Sequence, residues 1–147
     1  MYKKDVIKLY KELSELHNCD YGFKFDNAKN RCGLCNYKKE TISLSNNYVK
    51  FNSDKSIKNT ILHEIAHALT KSGHDYKWKR KFREIGGNGN RINKEAIVKY
   101  KLTGYCPNCN EEHQCHRRTR VACSVCCTKY NNGRFIDKYL IKYRENI

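Results

Sequence analysis

The sequence predicts an α+β protein in which helices pack on a short antiparallel sheet and a small β-rich, metal-bound unit follows. Three observations favour this class: apolar side chains at helical spacing, two short alternating segments between them, and two Cys-x-x-Cys pairs near the C-terminus. At 147 residues the chain is long enough for one domain with a core and a metal-bound appendage. We expect a first domain over residues 1–97 and a second over residues 98–147.

Residues 5–17 predict an amphipathic helix, because their apolar side chains recur at intervals of three and four. This stripe is formed by Val6, Leu9, Tyr10, Leu13 and Leu16. His17, at the end of the helix, is interpreted as a capping or surface residue. Alternation over residues 21–25 and 41–44 predicts two half-buried strands, which we expect to pair in an antiparallel sheet.

A second helix is predicted over residues 54–72, where apolar side chains again recur at helical spacing. Its start signal is the Asn-Ser-Asp run at residues 52–54, and Gly73 is placed to end it. Asp75 is the expected N-cap of a further helix. The apolar side chains that this helix should bury are Trp78, Phe82 and Ile85.

Residues 86–91 form a glycine-rich stretch that could suggest a phosphate-binding loop. The stretch lacks the Lys-Ser/Thr ending of such a loop and does not follow a strand, so we interpret it as a turn or a flexible lid. Alternation then returns and predicts an edge that begins the second domain. This edge is formed by Val98, Tyr100 and Leu102.

The helix at residues 54–72 contains the pattern His-Glu-x-x-His. Because helical positions four apart lie on one face, His63 and His67 can bind a single ion. Glu64 can lean over the same ion, where a carboxylate that is not a ligand can accept a proton from water. Shuffling six His and nine Glu over this length would produce the pattern in roughly one or two chains per hundred, so its helical context matters. The pattern predicts a zinc hydrolase.

A catalytic zinc ion usually has three protein ligands and an open position for water, so two histidines need a third partner. His74 is the best candidate, since a turn at Gly73 can bring it back over the metal. His113 and His116 are the alternatives, but they are remote in sequence and lie among cysteines.

Nine cysteines indicate either disulfides in a secreted protein or metal ligands in a reducing compartment. The N-terminal residues show neither the apolar core nor the cleavage site of a signal peptide, and no apolar run approaches transmembrane length. We therefore expect an intracellular protein outside the membrane, with cysteines that bind zinc.

Two Cys-x-x-Cys pairs separated by thirteen residues can surround one zinc ion with four thiolates, as in a zinc ribbon. The predicted ligands are Cys106, Cys109, Cys123 and Cys126. Cys127 could replace Cys126, and other side chains that could compete are Cys115, His113 and His116.

A further pair, Cys32-x-x-Cys35, has no second pair in its half of the chain, and Cys19 would still leave a metal site one ligand short. We favour structural thiols over an incidental or regulatory metal site.

The chain carries a net charge of +15, which attracts phosphate backbones or acidic surfaces. Charge is densest over residues 71–99, which carry 9 basic and 3 acidic side chains. Nucleic acid is the favoured partner, and solubility alone is the alternative. Basic and aromatic side chains around the second Cys pair suit a groove for a single strand. The candidates are Arg117, Arg118, Arg120, Tyr130 and Arg134.

These features together resemble the SprT-like (Spartan-type) zinc metalloprotease family. The likeness rests on residues 22–26, Arg31-x-Gly33-x-Cys35, residues 42–45, residues 60–69, Gly73-His74-x-x-x-Trp78 and the closing cysteine unit. The resemblance implies a small zincin-like domain followed by a zinc ribbon. It implies that zinc is bound by His63, His67 and His74 at the catalytic centre and by Cys106, Cys109, Cys123 and Cys126 in the ribbon. Glu64 would be the catalytic base.

The resemblance further implies a zinc-dependent endopeptidase that acts on DNA-associated proteins, including covalent DNA–protein crosslinks. We expect two zinc ions, one catalytic and one structural, and a monomer located at DNA in the nucleus or cytoplasm. The expected partners are DNA with single-stranded character and proteins bound or crosslinked to it. Two other functions stay open: a non-catalytic nucleic-acid-binding zinc protein, and a zinc hydrolase with a non-protein substrate.

Overall fold

The computed structural model describes residues 1–94, 96 and 99–146. Contacts divide the chain into two compact units, Met1–Val98 and Lys99–Ile147. The α+β class is confirmed, whereas the domain limits 1–97 and 98–147 stay a prediction. The first unit contains α1 (Lys3–Leu16), β1 (Gly22–Asp26), β2 (Gly33–Asn36), β3 (Thr41–Ser45), α2 (Asn46–Phe51), α3 (Asp54–Thr70) and α4 (Tyr76–Glu84).

The sheet of the first unit is mixed, with strand order β1-β3-β2. β2 pairs antiparallel with β3, with Gly33 opposite Leu44, whereas β1 runs parallel to β3, with Gly22 opposite Thr41. The prediction of a purely antiparallel sheet is wrong, because the sequence pattern did not reveal β2. The turn at residues 37–40 reverses the chain from β2 into β3, so β3 is central and β2 lies at an edge.

α1 packs its apolar stripe into the core, where Val6, Tyr10 and Leu13 are buried. The Tyr10 hydroxyl donates a hydrogen bond to the backbone carbonyl of Tyr21, over 2.6 Å, and so ties α1 to the chain that leads into β1. Leu16 does not join the stripe and is 70 % exposed, because α1 ends at this residue and His17 is its C-cap.

α3 begins where the sequence predicts, with the Ser53 hydroxyl accepting a hydrogen bond from the backbone N–H of Ser56. Its end differs from the prediction. The helix stops at Thr70, and Lys71 adopts the left-handed conformation with φ of +50°, so Gly73 is not the residue that ends it. The early stop leaves a short segment over which the chain turns towards α4.

α4 begins at its predicted N-cap, where the Asp75 carboxylate accepts a hydrogen bond of 2.9 Å from the backbone N–H of Trp78. Trp78 and Phe82 are fully buried against α3, as the spacing predicts, and Ile85 is partly buried. The glycine-rich residues 86–91 follow, with one hydrogen bond from the backbone N–H of Asn88 to Asn59 of α3 and one from that of Asn90 to Asn88, which supports the turn rather than the lid.

The second unit contains β4 (Leu102–Tyr105), β5 (Glu112–Cys115), α5 (Ser124–Asn131), a 3-10 turn (Asp137–Tyr139) and β6 (Lys142–Glu145). Its sheet has the order β5-β4-β6, and both pairings are antiparallel. Of the predicted edge at its start, Val98 lies outside the described residues, and Leu102 begins β4. A helix, α5, contains Cys126 and Cys127 and was not predicted. Among the described helices, none has both the length and the apolar character that a bilayer span requires.

Candidate metal centres and cleft

Three histidine side chains of the first unit converge on one point. The Nε2 atom of His63 lies 3.1 Å from that of His74 and 3.2 Å from that of His67, and the His67 and His74 atoms are also 3.2 Å apart. His63 and His67 share one face of α3, and the turn after α3 brings His74 back onto them, as the sequence predicts.

The triangle has the dimensions of a zinc site. Zn–N bonds of about 2.0–2.1 Å at tetrahedral angles separate the ligand nitrogens by about 3.3–3.4 Å. A neutral imidazole carries one N–H, so three Nε2 atoms facing each other bring together lone pairs that a cation would stabilise. The donor set therefore fits a zinc ion with three nitrogen ligands and one free position.

The position of His67 is fixed from behind by the backbone carbonyl of Ser72. The Nδ1 atom of His67 lies 2.7 Å from this oxygen, and because a carbonyl only accepts, Nδ1 carries the proton and Nε2 presents its lone pair. The Tyr37 hydroxyl donates a second hydrogen bond of 2.7 Å to the same carbonyl. Sequence reasoning missed both partners, since neither stands next to the motif.

Trp78 forms the wall of the histidine cluster. The centroid of one of its rings lies 4.7 Å from those of His63 and His74, and 5.2 Å from that of His67, on which it stacks. Its indole N–H donates to the backbone carbonyl of His63, over 3.2 Å. Burial, together with the neighbouring His67 and His74, lowers the pKa of His63 to about 3, so this imidazole is neutral and ready to bind metal at neutral pH.

Glu64 is 6 % exposed and lines the same cleft as the three histidines. Burial raises the pKa of its carboxyl to about 8, and the charge of Arg31 opposes this shift. The carboxylate lies against β2 at Gly33, where a Cβ atom would be 3.1 Å from Glu64 Oε1 and 3.0 Å from the Leu44 side chain. Glycine at this position therefore allows the strand to approach the carboxylate closely.

The cleft has a volume of about 420 Å³. One wall is formed by residues 30–35, which include edge strand β2, and the other by the histidines and by residues 91–93. Arg31 lines this cleft and is held by Asp26 through an ion pair of 3.0 Å. Hydrogen bonds from Ser43 and the backbone of Ala28, with the charge of Arg31, hold the pKa of Asp26 below its ordinary value although burial opposes them.

Cys32 and Cys35 both line the cleft, and burial raises the pKa of each thiol, that of Cys35 to about 12. Both cysteines are free thiols. Neither they nor Cys19 belong to a metal-binding group among the described residues. Unreactive, structural thiols remain the interpretation that these observations favour.

A second candidate centre lies in the second unit, where the sulfur atoms of Cys106, Cys109, Cys123 and Cys126 lie within 4.8 Å of one another. Sγ–Sγ distances are 3.7 Å between Cys106 and Cys126 and 3.6 Å between Cys109 and Cys123. A tetrahedral zinc ion with Zn–S bonds of about 2.3 Å separates its sulfurs by about 3.8 Å. The four thiols therefore fit one zinc ion.

The four cysteines come from two turns. Cys106 follows β4, and Cys123 is the N-cap of α5, on which Cys126 lies one turn later. The competing side chains lie outside this cluster. Cys127 is buried beside it, Cys115 donates to the carbonyl of Leu102 at 3.8 Å, and the side chains of His113 and His116 are not among the four.

The predicted nucleic-acid residues do not form one cluster. Arg117 and Arg118 line a cavity of about 610 Å³, and Arg118 also lies 3.5 Å from Glu145. Arg120 pairs with Asp137 at 2.8 Å, outside this lining. Tyr130 is 56 % exposed on α5, and Arg134 is exposed after it.

The cavity at Arg117 has a wall that sequence reasoning missed. His116 lines it and stacks on Tyr100 with 4.8 Å between ring centroids, while both of its buried ring nitrogens lack a hydrogen-bond partner among the residues that the structure describes. Lys101 adds a third cation to the lining. The lining therefore combines an aromatic side chain, three cations and the carboxylate of Glu145.

The sequence model of the SprT-like family matches residues 4–98, which is more than half of the chain. The chain belongs to the SprT-like family. The resemblance noted from the sequence is thus confirmed, and the match contains the three clustered histidines and Glu64. Comparison with functionally curated proteins finds no significant match.

Two solved structures are similar to the chain. The metallopeptidase zymogen of Methanocaldococcus jannaschii jannalysin aligns with 22% identity and a TM-score of 0.50, over 64% of this chain and 88% of its own. The metallopeptidase zymogen of Pyrococcus abyssi abylysin aligns with 17% identity and a TM-score of 0.48, over 54% and 77%. The jannalysin likeness shows a shared, zincin-like fold, and membership of the SprT-like family supports a metalloprotease.

Proposed function

We propose that the chain is a zinc-dependent endopeptidase whose catalytic zinc ion is bound by His63, His67 and His74. The observation that carries the proposal is the convergence of three imidazole nitrogens within 3.2 Å in an open cleft that a buried carboxylate also lines. Zinc, when bound in such a site, polarises a scissile carbonyl and acidifies water.

Glu64 is the proposed catalytic base. Its carboxylate takes a proton from the attacking water and then delivers it to the leaving amine. Burial raises the pKa of Glu64 to about 8 against the charge of Arg31, which supports a carboxyl that can both accept and release a proton near neutral pH. His67 is oriented by the Ser72 carbonyl and Trp78 closes the site on one side, so both act as positioning residues.

The substrate is an extended polypeptide that pairs with β2. This strand lies at the edge of its sheet and lines the cleft, so its outer backbone groups face a chain lying beside the histidines. Backbone pairing of this kind binds any extended segment with little regard to side chains. Specificity therefore comes from where the enzyme is held rather than from a deep side-chain pocket.

The site is proposed to act at DNA, on proteins that are bound or crosslinked to it. The net charge of +15 and the stacked pair Tyr100 and His116 beside Arg117 and Arg118 support single-stranded character in that DNA. The second zinc ion, held by the four cysteines, has a structural role because the core around it is small. The proposed location is intracellular, at DNA, and the proposed state is a monomer.

The deciding experiment compares the wild type with Glu64→Gln on a protein crosslinked to a single-stranded oligonucleotide. We expect Glu64→Gln to abolish cleavage while zinc content and oligonucleotide affinity stay unchanged. Glu15→Gln, on the exposed surface of α1, is the matched control and should cleave normally. Equal cleavage by the wild type and Glu64→Gln would overturn the proposal, and so would the absence of cleavage by the zinc-loaded wild type.

A further inference from the structure

A second groove on the first unit, of about 440 Å³, lies between α3 and the glycine-rich segment that follows α4. Ser56 and four further residues of α3 line it, and these four are spaced by three, four and seven, which places them on one stripe of the helix. They are Lys55, Lys58, Asn59 and Leu62. The facing wall is formed by residues 86–88.

The charged side chains in the described lining of this groove are both lysines. Lys55 and Lys58 are exposed, and no acidic side chain is among the described residues that line the groove. Asp54, next to Lys55, binds the N-terminal amine at 3.2 Å, and Glu84 binds Lys81 at 3.1 Å. These two carboxylates therefore pair with cations that do not line the groove.

The loop wall is held in place by hydrogen bonds. The backbone N–H of Asn88 donates to Asn59 Oδ1 at 3.1 Å, and that of Gly87 donates to the carbonyl of Phe82 at 2.8 Å. Gly87 packs so closely that a Cβ atom would lie 1.8 Å from the Phe82 ring. A wall fixed in this way does not have to be ordered when a ligand binds.

The same loop connects the groove to the catalytic cleft. Asn93 lines both cavities, and its side-chain amide donates to Ser56 Oγ at 2.8 Å on α3. Further along the loop, Arg83 lies over Gly89, where a Cβ atom would be 2.4 Å from its Nε. The groove therefore adjoins the cleft within one unit, with a further cation along the connecting loop.

We propose that this groove binds the phosphate backbone of a single-stranded nucleic acid and holds it beside the catalytic cleft. Two exposed ammonium groups, three asparagine side chains and the apolar side chain of Leu62 suit a flexible chain of regularly spaced phosphates. The inference rests on the proposed association with DNA and adds a contact on the catalytic unit that is independent of the cysteine-bound unit.

The test compares two double variants that each remove two exposed helical lysines three positions apart. Lys55→Ala with Lys58→Ala removes the groove cations, and Lys8→Ala with Lys11→Ala, on α1, is the control of equal net charge. Binding of a fluorescein-labelled thymidine oligonucleotide is followed by fluorescence anisotropy at several salt concentrations. Each lost phosphate contact makes the plot of log K against log salt less steep by about 0.7. The plot for the groove variant should therefore be less steep by about 1.4, which corresponds to a loss of affinity of about 25-fold at about 0.1 M salt.

The control variant should keep the wild-type slope. Equal slopes for the two double variants would overturn the proposal that the groove binds nucleic acid. This holds even if Arg117→Ala with Arg118→Ala, in the second unit, abolishes binding. Displacement of the oligonucleotide by polyglutamate at equal charge concentration would also overturn it, in favour of an acidic protein partner. Cleavage of an unfolded protein without DNA, measured on the same variants, reports on the peptidase separately. If the wild type cleaves the unfolded protein normally but does not bind the oligonucleotide, the proposed nucleic-acid binding in the groove is rejected and the proposed peptidase activity is retained.

Discussion

Replacing Glu64 with glutamine should change how the stability of the zinc-free protein depends on pH. Burial raises the pKa of Glu64 from an ordinary 4.5 to about 8, against a lowering by Arg31. The folded protein therefore keeps a proton on this carboxyl at pH values where the unfolded chain has released it. The protonated Glu64 carboxyl therefore contributes to the free energy of unfolding in full below about pH 4.5, and this contribution is lost as pH rises through about 8.

The magnitude follows from the difference between the two pKa values. One pKa unit corresponds to about 1.4 kcal/mol, so the wild type should lose about 5 kcal/mol of unfolding free energy, relative to Glu64→Gln, across this pH range. Glutamine has nearly the same shape and does not titrate. The three histidines titrate in both proteins, so the difference between the proteins isolates Glu64.

Trp78 is the only tryptophan in the chain and lies buried beside the histidines, so its fluorescence reports unfolding of this unit. Urea unfolding with a chelator present, at about pH 5 and about pH 8.5, should show the two proteins diverging as pH rises. Parallel pH profiles would refute the reasoning that burial controls this carboxyl. Added zinc should reduce the divergence, because a nearby cation favours the ionised carboxylate.

Three further outcomes are expected. His74→Ala should lower bound zinc from two ions per chain to one and abolish cleavage, and two retained ions by metal analysis would exclude His74 as a ligand. Tyr37→Phe removes the hydroxyl bonded to the Ser72 carbonyl, so the affinity for zinc, measured by competition with a chelator, should fall about tenfold. The control is Tyr76→Phe at an exposed position, and equal zinc affinities of the two variants would contradict the role of Tyr37. Cys126→Ser should lose the other zinc ion, so the second unit should unfold at a lower temperature while the transition reported by Trp78 fluorescence stays unchanged. A single transition shared by both units would contradict their independent unfolding.

The catalytic helix could be predicted because its signals are local. His63, Glu64 and His67 are related by helix geometry alone, and Ser53 and Asp75 cap their helices through contacts three residues away. Gly73 was the exception. Lys71 ends α3 instead, in a left-handed conformation that non-glycine residues adopt less often, so the glycine was the stronger signal in the sequence.

The cleft wall could not be predicted, because it depends on tertiary contacts. β2 is short and contains a glycine and a cysteine, so no alternation of apolar and polar residues reveals it. Its antiparallel pairing with β3 nevertheless makes the sheet mixed and places an edge strand in the lining of the cleft that also contains the histidines. Gly33 approaches Glu64, and Tyr37 bonds to the Ser72 carbonyl behind His67, each across about thirty residues of sequence. The stack of His116 on Tyr100 likewise joins residues that no sequence motif connects.

The most direct test of the account is a crystal structure with anomalous diffraction recorded at the zinc absorption edge. We expect one anomalous peak about 2.0–2.1 Å from the Nε2 atoms of His63, His67 and His74, and another about 2.3 Å from each of the four cysteine sulfurs. A crystal grown with zinc that shows no peak among the three imidazoles would contradict the proposed catalytic centre.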